Sequence, residues 1–231
     1  MKTVIVTGGA TGIGRGIVER LAPEYRVLAL WHQHAPDALP DGVMTVRGDL
    51  TTAAGLEAIL AEINAQVDGP IHGLVNNAGL VAESPMDGFD PEPVQAMFQL
   101  NTIVPALLLA GVLPRMEAGA SVVNISSVNA DLPPKGAALY GASKAALNTW
   151  TKGAAKELGP RGIRVNALAP GAVNTPEKPR SEELTAAFAG LAALGRVGAP
   201  NDIAGVVAFL LSDEAAYLTG EVVRVSGGYR L

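Results

Sequence analysis

The sequence contains no cysteine, only three histidines among 231 residues, and few aromatic side chains, at 4% of the chain. Without cysteine there is no disulfide framework, no thiolate nucleophile and no zinc–thiolate site. Charged residues make up only 17%, with 17 Lys+Arg against 22 Asp+Glu and a formal net charge of -5. A chain with no basic excess is not built to take nucleic acid as its main partner, because phosphate binding needs a basic face. Long uninterrupted apolar runs are also missing. The most apolar stretch, residues 102–116, contains Pro105 and Pro114 and is too short to span a bilayer, so it is expected to be a buried helix and no membrane partner is expected. The chain passes from Met1-Lys2-Thr3 straight into Val4-Ile5-Val6, so neither an Arg-rich leader nor a cleavable apolar segment is expected. The protein is expected to be soluble and cytoplasmic.

What the sequence does contain is 48% hydrophobic residues, 27 glycines and 16 prolines. A chain of this size can bury a substantial core without staples. Short apolar runs at residues 3–7, 26–31, 43–47, 71–76, 121–126, 164–169 and 221–225 alternate with helical patterns at 12–21, 53–65, 92–116, 139–158, 182–193 and 201–211. Apolar strands separated by helices predict a parallel sheet covered on both faces, a doubly wound α/β domain of the Rossmann type. No linker or repeat divides residues 1–231, so a single domain is expected. Only residues 32–42 join the second and third strands, and they include Pro36 and Pro40. That length and those prolines predict a turn or one helical turn in place of a full crossover helix.

The first strand runs directly into Gly8-Gly9-Ala10-Thr11-Gly12-Ile13-Gly14 and then an amphipathic helix. Glycines at a strand–helix junction let the backbone approach a pyrophosphate, and the helix N-terminus offers free N–H groups to the anion. No Gly-Lys-Ser/Thr ending follows, which argues against a nucleoside-triphosphate loop. Further along stand Asn76-Asn77-Ala78-Gly79, Asn101, Ser127, Tyr140-Gly141-Ala142-Ser143-Lys144, Pro170-Gly171 and Gly227-Gly228. Taken in order, Thr-Gly-x-x-x-Gly-x-Gly followed by Ser…Tyr-x-x-x-Lys resembles the short-chain dehydrogenase/reductase family across nearly the whole chain. Within it the chain looks most like the small single-domain reductases typified by 3-oxoacyl-[acyl-carrier-protein] reductase, and the tail from Asp213 to Gly228 resembles that group closely.

Tyr140 and Lys144 are four residues apart and share one face of a helix. An ammonium beside a phenol favours the phenolate and is expected to lower the tyrosine pKa. The resemblance implies that Tyr140 donates or accepts the proton, that Lys144 modulates it and binds ribose, and that Ser127 holds a carbonyl oxygen. It further implies that Asn101 holds the water linking Lys144 to solvent. A nicotinamide would supply the hydride. The same resemblance puts Gly8, Thr11, Gly12, Ile13 and Gly14 at the dinucleotide, and Asn76 and Gly79 along the adenosine ribose. It puts Asp49, with Leu50 beside it, at the adenine amino group, and Pro170, Gly171, Val173 and Thr175 around the nicotinamide amide. Each motif alone has an ordinary structural explanation: Tyr-x-x-x-Lys as a helix-surface pair, Ser-Ser as an N-cap, Asp49 as a helix cap. Their occurrence in order behind a dinucleotide-type start favours catalysis.

No carboxylate follows the second strand to pair with the ribose of NAD, and no Arg stands there for the 2′-phosphate of NADP. His32 can donate to a 2′-phosphate and Thr11 can add a hydroxyl, so NADP(H) is favoured and NAD(H) stays open. The segment 175–195 is the expected substrate lid, but its side chains (Glu177, Lys178, Arg180, Phe188, Leu191) select no single substrate. An acyl-carrier protein, being acidic, would need a basic patch; Arg115, Arg161 and Arg164 are the candidates, against the negative total charge. A small carbonyl or alcohol substrate fits as well as a carrier-bound one. The apolar helices at 102–116 and 139–158 suit burial against further copies, in a homotetramer or homodimer. A non-catalytic dinucleotide sensor is the competing class, and the presence of Asn101, Ser127, Tyr140 and Lys144 together argues against it.

Overall fold

The computed structural model describes residues 1–230. Seven strands form one wholly parallel sheet: β1 (Thr3–Thr7), β2 (Arg26–Trp31), β3 (Met44–Arg47), β4 (Ile71–Asn76), β5 (Ser121–Ile125), β6 (Arg164–Pro170) and β7 (Val222–Val225). Their spatial order is β3-β2-β1-β4-β5-β6-β7, so the winding reverses between β1 and β4. In open sheets of this kind the crevice for a ligand opens there, outside the carboxyl ends of the strands. The doubly wound expectation holds, and five of the seven strand cores, β1, β2, β4, β5 and β6, begin where the apolar runs begin.

Alternation along the strands sends side chains to two separate layers. Val4 and Val6 pack with Ile17, Val18 and Leu21 of α1 (Gly12–Leu21) and with Ile203 and Val207 of α7 (Pro200–Leu211). Ile5 faces the opposite layer, with Ile59 and Ile63 of α2 (Ala53–Gln66), Leu108 and Val112 of α4 (Val104–Val112) and Leu158 of α5 (Ala138–Leu158). At roughly 25 cal/mol per Å² of apolar surface removed from water, these two layers supply the main favourable term for folding. Thr52 caps α2, its hydroxyl accepting from the Gly55 amide at 3.0 Å. The link at 32–42 carries no helix and turns at Gly42, in line with its length and prolines.

One sequence expectation needs correcting. The apolar stretch around residues 102–116 is part of a continuous helical rod from Pro91 to Arg115, long and apolar enough to cross a membrane by length and composition. The rod accommodates Pro105 directly after a π-helical turn, in the first turn of α4. The rod is not uniform: α3 (Pro91–Phe98) runs into a π-helical turn, Gln99–Ile103, before α4 begins. Val104, Leu108, Leu109 and Val112 are buried in the sheet's core, as in the core helix of a packed domain.

Candidate active site

The phosphate-cradling start is built by close packing. A Cβ placed on Gly14 would lie 2.0 Å from the Gly8 carbonyl oxygen and 2.5 Å from Asn77 Nδ2. Only glycine fits a helix start that presses so tightly on the preceding loop. Asn77 locks this loop to β4: its Nδ2 donates to the Thr7 carbonyl at 2.9 Å and the Gly8 carbonyl at 3.2 Å. In return the Thr7 hydroxyl accepts from the Asn77 and Ala78 amides, both at 2.9 Å. Sequence reasoning passed over Asn77, although the Asn-Asn-Ala-Gly motif contained it.

A crevice of about 390 Å³ opens at the reversal of the sheet, lined among others by Gly8, Thr11, His32, Asp49, Leu50 and Gly79. Its neighbour, a cavity of about 230 Å³, is lined by Ile13, Ser127, Tyr140, Lys144, Pro170, Gly171, Val173 and others. Gly79 and Leu80 belong to both walls, so the two spaces adjoin. Thirteen expected site residues therefore face one continuous concavity: Gly8, Thr11, Ile13, His32, Asp49, Leu50, Gly79, Ser127, Tyr140, Lys144, Pro170, Gly171 and Val173. Gly12, Gly14 and Thr175 stand just behind it. The Thr175 methyl is 3.3 Å from the position of a Gly12 Cβ, so the start of the lid rests on the glycine loop.

Asn76 corrects the expectation of a ribose contact. Its side chain is buried and donates to Asn124 Oδ1 at 2.8 Å, while Asn124 Nδ2 donates to the Thr151 hydroxyl at 2.9 Å. Pleating turns this side chain into the sheet, where it ties β4 and β5 to α5 instead of lining the crevice. Asn101 stands on the π-helical turn Gln99–Ile103. The π turn presents its carboxamide to the loop after β4, where Oδ1 accepts from the Leu80 amide and Nδ2 donates to the Leu80 carbonyl, both at 2.8 Å. Nδ2 also donates to the Ser143 hydroxyl at 3.1 Å. The side chain is thereby fully engaged and only 1% of the residue is exposed.

The three residues expected to be catalytic sit on two elements. Ser127 follows β5, where its hydroxyl accepts from the Asn129 amide at 3.1 Å. Tyr140 and Lys144 stand one turn apart on α5. Burial pushes the Tyr140 phenol up from its ordinary value, partly opposed by the adjacent Ser127 hydroxyl. The expected depression by Lys144 is absent, because the lysine is engaged elsewhere: its Nζ donates to the Ile125 carbonyl at 2.8 Å. Burial, with 4% of the residue exposed, pushes the Lys144 ammonium down to about 8. At neutral pH the site therefore holds a protonated phenol beside an ammonium that gives up its proton readily. Gly79 keeps the space between these groups open: a Cβ there would lie 3.0 Å from Asn101 Oδ1 and 3.4 Å from Lys144 Nζ.

The residues fit a dinucleotide. An anion already occupies the α1 terminus, where Glu177 Oε2 accepts from the Gly12 amide at 3.2 Å, which shows that this backbone receives a negative group. On the adenosine side, Asp49 accepts from the Thr51 hydroxyl at 2.6 Å and amide at 2.8 Å, and these bonds hold its carboxyl below the usual range. Its other oxygen is 3.9 Å from His32 Nε2. Arg47 brings a permanent cation beside the end of β2. From the end of β3 its guanidinium stacks 5.4 Å over the Trp31 ring, and Nε donates to the His32 carbonyl at 3.3 Å. No local signal marked Arg47, since only strand pairing brings it beside Trp31.

The basic patch expected for a carrier protein is not beside the site. Arg115 and Arg161 precede β5 and β6, and Arg164 opens β6, so all three lie at the amino ends of the strands, across the sheet from the crevice. Arg164 is buried and donates to the Leu210 and Ser212 carbonyls at 2.7 and 3.0 Å, closing the end of α7. Arg115 donates to the Val67 and Gly69 carbonyls after α2.

A family model described as enoyl-(acyl carrier protein) reductase matches residues 8–230. The solved short-chain dehydrogenase/reductase of Serratia marcescens superposes with a TM-score of 0.91 at 32% identity, covering 100% of this chain and 98% of that one. This chain belongs to the short-chain dehydrogenase/reductase family. It is an NAD(P)-dependent oxidoreductase acting on carbonyl/alcohol pairs. Similar proteins include 3beta-hydroxysteroid dehydrogenase 1 of Eggerthella lenta, 36% identical over 100% of this chain and 94% of that protein. A blue fluorescent protein from a metagenomic library, solved in complex with NADPH, superposes with a TM-score of 0.92 at 30% identity, covering 100% and 98%.

Proposed function

We propose that this short-chain dehydrogenase/reductase uses NADP(H) and that Tyr140 is its general acid, with Ser127 and Lys144 as partners. The observation that carries this reading is the convergence of Ser127, Tyr140 and Lys144 on one small cavity that shares a wall with the dinucleotide crevice. Bound nicotinamide supplies hydride to a carbonyl carbon or removes it from an alcohol. The Ser127 hydroxyl donates to the carbonyl oxygen and fixes its position. The Tyr140 phenol, kept protonated by burial, delivers its proton to that oxygen as negative charge develops there. Lys144, with its ammonium pushed down to about 8, replenishes the phenol and turns its remaining donors to ribose. Asn101 acts through others, pinning the Leu80 loop and the Ser143 turn so that α5 holds its place.

NADP(H) is favoured over NAD(H) because Arg47, His32 and Thr11 offer a guanidinium, an imidazole N–H and a hydroxyl to a 2′-phosphate, with Asp49 turned toward Thr51. Residues 1–231 act as one domain, with the segment 175–195 as the lid over the nicotinamide. The substrate is a small diffusible carbonyl or alcohol compound. A carrier-bound 3-oxoacyl group has less support, as the Arg115, Arg161 and Arg164 cluster lies across the sheet. The protein works as a soluble, cytoplasmic homotetramer or homodimer, for which the exposed Ile103 and Leu107 on the rod provide an apolar face. Neither nucleic acid nor membrane is a partner.

The test is a paired titration with NADPH and NADH, followed by a carbonyl and alcohol panel read at the nicotinamide absorbance. Tyr140→Phe is expected to lower kcat at least a thousandfold while NADPH affinity stays within threefold. Retention of a tenth of wild-type turnover would show that another group carries the proton.

A further inference from the structure

Of the charged side chains in the lid, one enters the catalytic cavity. Arg180 lines the same 230 Å³ space as Ser127, Tyr140 and Lys144. It is held there on several sides. One terminal nitrogen, Nη1, donates to the Val173 carbonyl at 2.6 Å and to Asn174 Oδ1 at 2.9 Å. Asn174 is itself fixed by Nδ2 donating to the Thr185 hydroxyl of α6 (Glu182–Gly190) at 3.1 Å. The guanidinium face lies 5.4 Å from the centroid of Phe188, whose ring is 6.2 Å from that of Tyr229.

This fixation spends only Nη1. Among the described residues, no acceptor is found for Nε or Nη2, and no carboxylate comes within ion-pair distance of Arg180. These two nitrogens form one edge of the guanidinium, with two parallel N–H bonds spaced to match the two oxygens of a carboxylate. The cavity contains no acidic side chain to neutralise them, while Lys144 adds a second cation. A half-buried, preorganised guanidinium without a counter-ion in a catalytic cavity is a receptor for an anion.

We infer that Arg180 is the substrate-specificity residue of this enzyme and that its substrate is an oxo acid or hydroxy acid whose carboxylate binds the Nε–Nη2 edge. This rests on the proposed chemistry at Tyr140 and names the class of molecule turned over there. The lid then acts as part of the recognition surface: the substrate carboxylate completes the Arg180 environment and draws residues 173–188 onto the site.

The test compares short 2-oxo, 3-oxo and 4-oxo acids with their methyl esters, using wild-type protein, Arg180→Leu and Arg180→Lys with NADPH. At least one oxo acid is expected to exceed its ester in kcat/KM by about 100-fold, in keeping with a charge-assisted bidentate pair. Arg180→Leu should erase that preference, raising KM for the acid at least tenfold more than KM for the ester. The lysine variant should recover part of the preference, because it restores charge without the fork. A second readout is independent of finding the natural substrate: butanoate should compete with a neutral ketone in the wild type and lose at least tenfold in affinity in Arg180→Leu. Equal loss for acid and ester would make Arg180 a lid-packing residue, and weaker NADPH binding would make it a cofactor-phosphate ligand; either result overturns the inference. Neutral ketones reduced through Tyr140, with no acid preference and no butanoate competition, would leave the chemistry standing and remove only the carboxylate site. If butanoate binds through Arg180 and no carbonyl is reduced, the chemistry at Tyr140 fails instead.

Discussion

Replacing Lys144 by methionine separates the cost of burying this lysine from its use. The ammonium is almost fully buried and its pKa falls from 10.5 to about 8. The folded chain therefore binds this proton less tightly than the unfolded chain, and unfolding takes up a proton between pH 8 and 10.5. Linkage then requires stability to rise with pH through that window. The penalty is complete below about pH 8 and gone above 10.5. At about 1.4 kcal/mol per pH unit, the gap sets a ceiling of about 3 kcal/mol. Lys144→Met removes the titrating group but also leaves the Ile125 carbonyl without its donor, which costs about 1–3 kcal/mol at any pH. The absolute change at pH 7 is thus small, and the informative quantity is its pH dependence. The difference in unfolding free energy between wild type and variant, measured by urea titration without cofactor, is expected to change by about 2–3 kcal/mol between pH 7 and 10.5 in favour of the wild type. Groups common to both proteins cancel in that difference. A pH-independent difference would refute the burial argument, and with it the account of how Lys144 is poised as a proton source. Turnover of the variant should be lost throughout.

Gly14→Ala forces a Cβ to 2.0 Å from the Gly8 carbonyl oxygen, so a stability loss of about 1–3 kcal/mol and at least tenfold weaker dinucleotide binding are expected by thermal melts and cofactor fluorescence. Arg47→Ala should raise the NADPH Kd by roughly tenfold, in line with one lost charge-assisted contact, and leave NADH within twofold; parallel loss of both would assign Arg47 to folding. Asp202 accepts from both Arg196 terminal nitrogens at 2.7 and 2.8 Å and from the Ala199 amide at the start of α7, and its carboxyl is held down to about 2. Its contribution is present above the ordinary carboxylate range and lost as pH falls toward 2. Asp202→Ala should therefore destabilise at pH 7, by about 1 kcal/mol as for a lost N-cap, with the difference vanishing near pH 2.

Local pattern carried the sequence reading a long way where near neighbours decide the outcome. The apolar run 3–7 becomes β1, the glycine turn that follows opens α1 at Gly12, and Pro36 and Pro40 keep residues 32–42 free of helix. The spacing of Tyr140 and Lys144 likewise placed both on one face of α5, where both line the cavity. The same reasoning misplaced Asn76, because the motif gives a position along the chain but not the partner that captures the side chain.

Charge and proton affinity depended on tertiary structure altogether. Arg47 reaches Trp31 by strand pairing, and Arg180 comes to line the cavity of Tyr140 because its lid folds back over the carboxyl ends of the strands. Arg115, Arg161 and Arg164 are carried to the opposite end by the direction of β5 and β6. The fall of Lys144 to about 8 follows from the water excluded around it. The sequence by itself determined which elements form and which residues bear the chemistry, since these follow from backbone sterics and the period of apolar side chains within a few residues. Only the folded chain decided which groups meet and which stay charged, since distance and solvent exclusion are properties of segments far apart in sequence.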